Sequence, residues 1–384
     1  MNRNRRRIMW LLPGLLALLA ASWGGLLRLG WDWPLIRPML PAGHGPLMIG
    51  GFLGTLISLE RAVALVALQQ VPGGKAEEET GRLRFWPYMA PLLTGVGSLL
   101  LIVGVPGAPG PLLMTLGSLA LLVIFVMIIR TQPALFTVTI GLGALTWLVG
   151  NLLWLMNRPI YGVVLWWVGF LVLTIVGERL ELSRLLRPSR FALTWFVAAI
   201  GIFLAGLLFS AFSLPLGTRM AGIAMVTLAL WLARYDIARR TVRQTGLPRF
   251  IAVCLLSGYV WLGISGILAL IFGGVTAGPR YDALLHALFL GFVFTMIFGH
   301  APIIFPAVLG LPVSFQPAFY GHLALLHITL VLRVVGALTG WTQGRQWGGL
   351  LNAIALLLFL LNTVRAVQRS PAVVTTQSIP RRQE

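Results

Sequence analysis

Apolar runs long enough to cross a bilayer recur from one end of this 384-residue chain to the other. A spanning helix needs about 20 predominantly apolar residues. In lipid, only helices and closed barrels satisfy their own backbone hydrogen bonds. The runs therefore predict an all-α, polytopic membrane protein of about twelve transmembrane helices. They fall at roughly 8–28, 43–66, 86–105, 112–130, 133–156, 160–180, 191–212, 215–234, 250–272, 281–303, 316–338 and 347–366. Only 10% of the residues are charged, against about a quarter in a soluble domain, so most of the surface faces lipid.

The net charge of +19 could suggest a nucleic-acid partner, but the basic residues lie scattered between the apolar runs. They form no solvated, aromatic-studded patch, so the implied partner is the lipid bilayer and nucleic acid is excluded. With the N-terminus inside, 22 of the 29 basic residues fall on the cytoplasmic side. Six fall outside (Arg28, Arg37, Arg158, Arg219, Arg280 and Arg345), and Arg333 lies within helix 11. That asymmetry predicts a multi-pass protein of a bacterial-type plasma (inner) membrane with both termini cytoplasmic.

Arg5-Arg6-Arg7 before an apolar stretch imitates a signal peptide, but without a convincing cleavage site it reads as an uncleaved first helix. The single cysteine, Cys254, excludes an intramolecular disulfide, a CxxCH heme attachment and a thiolate zinc site. Residues 1–369 form one transmembrane domain. The longest polar loop runs from Gln69 to Arg84 with the acidic run Glu77-Glu78-Glu79, and residues 370–384 are expected to be a disordered cytoplasmic tail.

Within that domain a pattern repeats. Helix 2 reads Gly51-Phe52-Leu53 and then Glu60-Arg61; helix 6 reads Gly169-Phe170-Leu171 and then Glu178-Arg179; helix 10 reads Gly291-Phe292-Val293 and then His300. In each an ionisable residue follows the glycine by nine positions, and the offsets of 118 and 122 residues each span four helices. Such offsets preserve membrane orientation, giving parallel pseudo-repeats at about 1–130, 131–248 and 249–369. Glu60, Arg61, Glu178 and Arg179 read as structural ion pairs at cytoplasmic helix ends, where arginine opposes the helix dipole. Proton uptake is the alternative role. Asn151, Asn157 and Thr174 read as interhelical hydrogen-bonders, and most of the fourteen tryptophans as interfacial anchors.

Three parallel four-helix units resemble the catalytic subunit of heme-copper oxidases. A closer resemblance is to the NnrS family, heme- and copper-containing membrane proteins of the nitric oxide response. His286-Ala287-Leu288-Phe289-Leu290-Gly291 with Met296 is similar to that family's His-Ala-x-x-x-Gly-x-x-x-x-Met pattern, and His44-Gly45-Pro46-Leu47-Met48 to its early histidine-bearing helix. The resemblance implies heme b, admits copper, and suggests a redox partner or a small diatomic ligand. Helices 6 and 7 lack the copper-binding histidines of an oxidase, and helix 10 lacks a histidine two residues from His286. Dioxygen reduction coupled to proton pumping is not expected.

All five histidines fall in or at the ends of spans, where an ionisable side chain needs a partner or a task. His44 and His286 lie near the outer starts of helices 2 and 10 and differ by two residues in the repeat register, about 3 Å in depth. They are the expected cofactor-binding pair, as axial ligands of a heme that needs no cysteine. His300, His322 and His327 form a second candidate group for a metal or a proton relay, beside an expected break of helix 10 at Pro302 and Pro306. His327 lies about 140° around the helix from His322, which makes one ion on both awkward. Structural hydrogen bonding is the plain alternative for every histidine. Arg333 can pair with Asp282 or a heme propionate. Beside a heme or metal protein handling nitric oxide or electrons stand a transporter or permease and a structural subunit of a respiratory membrane complex.

Overall fold

The structure, a computed structural model, describes residues 3–68 and 85–369. The loop Gln69–Arg84 and the tail 370–384 lie outside the described residues. Twelve helices among the described residues are long and apolar enough to cross a membrane. The first four are α1 (Met9–Arg28), α2 (Leu40–Leu68), α3 (Trp86–Val103) and α4 (Pro109–Thr131). The next are α5 (Leu135–Leu155), α6 (Ile160–Leu186), α7 (Arg190–Ser210) and α8 (Leu214–Tyr235). The last are α9 (Gly246–Phe272), α10 (Gly278–Val308), α11 (Phe319–Thr339) and α12 (Thr342–Gln368). The chain is an all-α polytopic membrane protein.

Successive spans pack side by side, and α12 meets α1, so the chain closes on itself. The spans α6 and α10 are the most enclosed, with 83% and 72% of their apolar windows inside the molecule. With α2, which touches α10 directly, they form the inner layer. Ile57, Ile175 and Ile297, related by the offsets 118 and 122, line one chamber of about 70 Å³. Glu60, Glu178 and His300, at the same offsets, line its polar end. Arg61 of α2 pairs with Glu178 of α6 and lies 3.4 Å from Glu60. Arg179 of α6 donates to His300 Nε2 of α10 at 2.8 Å. Each arginine thus reaches the ionisable residue of the next inner helix.

Helix 10 does not break at its prolines. Pro302 and Pro306 sit inside a helical segment, Thr295–Leu309, that ends at Gly310 with φ +66°. Each proline removes a single backbone bond, which a membrane helix tolerates where neighbours cover the gap. The irregularity lies upstream: Leu47–Gly54 in α2 and Ala287–Phe294 in α10 are π-helical. The two segments start 240 residues apart, the sum of the two repeat offsets, and every residue in both is buried.

Nine of the fourteen tryptophans are not buried, in keeping with anchors near the span ends, but five are. Trp147, Trp166, Trp167, Trp231 and Trp261 are buried, and glycines open notches for three of these indoles, those of Trp147, Trp167 and Trp261. The Trp147 ring covers Gly54 and the Trp261 ring covers Gly291 so closely that a β-carbon at either would collide. Asn151 does bond across helices, accepting from Trp167 Nε1 at 2.9 Å. Asn157 instead holds the α5–α6 turn at φ +60°, a left-handed conformation that asparagine tolerates. The buried Thr174 hydroxyl has no hydrogen-bond partner among the described residues.

Candidate functional site

His44 and His286 meet in one cavity of about 370 Å³ between α1, α2, α6, α10, α11 and α12. Their ring centroids are 6.0 Å apart and their planes differ by 21°. His44 closes a seven-residue segment, Leu40–Pro46, ahead of one π segment; His286 ends Gly278–His286 ahead of the other. A π turn carries one residue more than an α turn and such segments cluster at functional sites. Here they lie directly beneath the two histidines.

Both imidazoles are oriented from behind through Nδ1. His44 Nδ1 lies 2.7 Å from the Ala21 carbonyl of α1. His286 Nδ1 lies 2.9 Å from its own-helix Asp282 carbonyl and 3.0 Å from the Asp282 carboxylate. Arg333 of α11 clamps that carboxylate with two bonds, Nε to Oδ2 at 3.1 Å and Nη2 to Oδ1 at 2.6 Å. A bidentate guanidinium–carboxylate pair is strong and directional, and a carboxylate behind a histidine is the usual support of a metal-ligating imidazole. Neither Nε2 has a protein partner among the described residues, and both rings line the cavity.

The walls are mainly apolar, and Phe294, whose ring stacks on Phe52 at 5.8 Å, lies at the base. Arg28, Arg333 and Arg345 line the cavity against a single carboxylate, Asp282. Arg28 and Arg345 have no acidic partner among the described residues, so two cationic charges are left over for a ligand. Two ring nitrogens bound to one ion at about 2 Å each would lie about 4 Å apart. The imidazole radii on either side extend that to about the centroid separation seen here. The donor set, the surplus charge and the apolar walls fit a flat dicarboxylate tetrapyrrole such as heme b. Its ring would supply four donors, so two protein ligands suffice.

The other histidines do not converge. His300 is held at both nitrogens, by Arg179 and by the Met296 carbonyl at 2.6 Å. His327 accepts from Trp261 Nε1 at 2.9 Å and meets the Ser257 hydroxyl at 3.0 Å. His322 takes Asn362 Nδ2 at 3.2 Å on Nδ1, and its Nε2 is buried without a polar partner next to the Phe298 ring. No group of three or more His, Cys, Asp or Glu side chains that could hold a metal ion occurs among the described residues. Beside Arg179, in the α8–α9 connection, lies buried Asp236: burial pushes its carboxyl above the ordinary range, and the Arg179 cation opposes the shift.

Sequence reasoning found the histidine pair and the Arg333–Asp282 contact but missed Arg28, Arg345 and Gly25. A β-carbon on Gly25 would stand 2.8 Å from His44 Cε1 and Nδ1. Arg28 and Arg345 were among the few basic residues expected outside, and that rarity was the signal available. One family model, described as Domain of unknown function (DUF8744), matches residues 7–368. Comparison with curated proteins returned no match.

Proposed function

The chain belongs to this family, whose description assigns no activity, and from its own residues we propose that it is a membrane heme b protein of NnrS-like type. It binds the heme between His44 and His286 and uses it to handle a small diatomic ligand such as nitric oxide, or to pass electrons. The supporting observation is the pair of imidazoles 6.0 Å apart, each anchored through Nδ1, in a cavity with two surplus cationic charges. In this reading Arg28 and Arg345 would receive the two carboxylates, and the apolar walls would keep water from the ring. The heme itself supplies the redox chemistry and the affinity for a diatomic.

The reading takes the molecule as three parallel four-helix units about an axis through the small chamber, set in a bacterial-type inner membrane. The successive pairing of Arg61 with Glu178 and of Arg179 with His300, from one inner helix to the next, supports it. The test is an optical spectrum of the protein purified from membranes and reconstituted with hemin. Near-stoichiometric heme with a Soret band and a six-coordinate, low-spin signature is expected, abolished in the double variant His44→Ala/His286→Ala. A wild-type protein that takes up no heme sinks the proposal and favours the transporter or structural-subunit alternatives.

A further inference from the structure

The two imidazoles have unequal support. Behind His286 stands a full carboxylate, Asp282, 3.0 Å from Nδ1 and fixed by two bonds from Arg333, which is 6% exposed. His286, Asp282 and Arg333 form a chain of charge-assisted bonds linking α10 to α11. Behind His44 stands only the Ala21 carbonyl, at 2.7 Å, a neutral acceptor in another helix. A carboxylate behind an imidazole makes it more electron-donating and fixes its orientation, while a lone carbonyl does less of both.

The backbone beneath them differs likewise. His44 sits in a seven-residue segment between Gly43 and Gly45, with no side-chain cap at its start. Around Gly45 the nearest atom to an added β-carbon would be Ile160 Cγ2 at 3.9 Å, so one side of the His44 turn is open. His286 instead precedes Ala287, which is fully buried. One ring is braced by a carboxylate fixed from a second helix, the other by a single carbonyl.

Resting on the heme reading, we infer that His286 is the permanent ligand and His44 the exchangeable one, so a small external ligand enters on the His44 side. Asp282 is the positioning residue that makes the difference. With heme held by His286, the electron pair of an incoming small ligand would take the place of the one that His44 Nε2 would otherwise donate. No proton or electron is transferred.

The experiment uses the full-length protein in nanodiscs, reconstituted with hemin, with carbon monoxide as the probe on the dithionite-reduced form. His44→Ala should keep its heme in a five-coordinate state and bind carbon monoxide at least tenfold more tightly than wild type. His286→Ala should lose at least tenfold in heme affinity. The opposite assignment, or equal loss in both single variants, overturns the inference while leaving the heme reading intact; absence of heme from the wild type overturns the heme reading itself. Should His286→Ala fail to fold, the near-isosteric Asp282→Asn decides. With the anionic support gone, the ferric form is less favoured and the reduction potential should rise with heme retained. An unchanged potential in Asp282→Asn means that the carboxylate does not tune His286, and the inference falls.

Discussion

At the scale of single residues, the proposed heme site rests on what stands behind each histidine as well as on the histidines themselves. Gly25 illustrates this. Its missing side chain lets α1 press against the His44 ring, and a β-carbon there would lie 2.8 Å from Cε1 and Nδ1. The ring cannot yield without breaking its bond to Ala21. Gly25→Ala should therefore weaken the hold of His44 on the proposed heme and give a mixed five- and six-coordinate spectrum with heme retained, since overpacking commonly costs about 1–3 kcal/mol. Gly201→Ala in α7, where no atom lies within 4 Å of the added β-carbon, should leave the six-coordinate spectrum unchanged. Optical spectra of the hemin-loaded variants, with circular dichroism to verify helicity, check both. Equal effects would mean that the Gly25 contact does not position His44. The sequence offered Gly25 only as one of 44 glycines, and no periodicity distinguishes it, because its role depends on a ring from another helix.

At the scale of elements the two π segments couple the ends of α2 and α10. A residue added to one turn changes the facing of everything beyond it, by about 100° per residue. That setting lets α2 present His44 to the upper cavity and Arg61 to Glu178 at the other end. Deleting Ile49, inside Leu47–Gly54, should return the segment to α-helix and leave the two ends out of phase. Either the heme or the Arg61–Glu178 pair is then lost, read as a heme-to-protein ratio reduced at least fivefold or a clear fall in Tm. Deleting Gly107, in the α3–α4 connection, should change neither. A deletion at Ile49 as harmless as that at Gly107 would show that the π turn does not couple the two ends. Much at this scale was legible beforehand: glycine-to-polar spacing placed Glu60, Glu178 and His300 at one level, and they line one chamber. The π turns were not legible, because a helix of Leu, Ile, Gly and Phe reads the same with 3.6 or more residues per turn. Pro302 and Pro306 misled for a related reason, since the neighbours that cover a proline gap are invisible in the chain's own order.

At the scale of the molecule the two polar regions lie at opposite ends of the inner helices, and their sidedness decides from which compartment a ligand arrives. Spans and count follow from hydrophobic length, which is why they were readable; orientation rests on charge alone. The connections on one side, including those before α3, α7 and α9, carry most of the arginines, whereas Arg28 and Arg345 at the mouth of the large cavity belong to the sparse side. The positive-inside rule puts the sparse side outside, so the His44–His286 cavity should open toward the external face. Cysteine labelling tests this cleanly, because the native Cys254 is fully buried and should stay silent. Phe212, 89% exposed in the α7–α8 connection, shares a side with the cavity mouth; Leu185, 73% exposed at the end of α6, lies on the other. A membrane-impermeant maleimide applied to intact spheroplasts should label Phe212→Cys at once and Leu185→Cys only after permeabilisation. The reverse pattern would invert the topology and turn the cavity toward the cytoplasm, so that any ligand of the proposed heme would have to come from inside the cell.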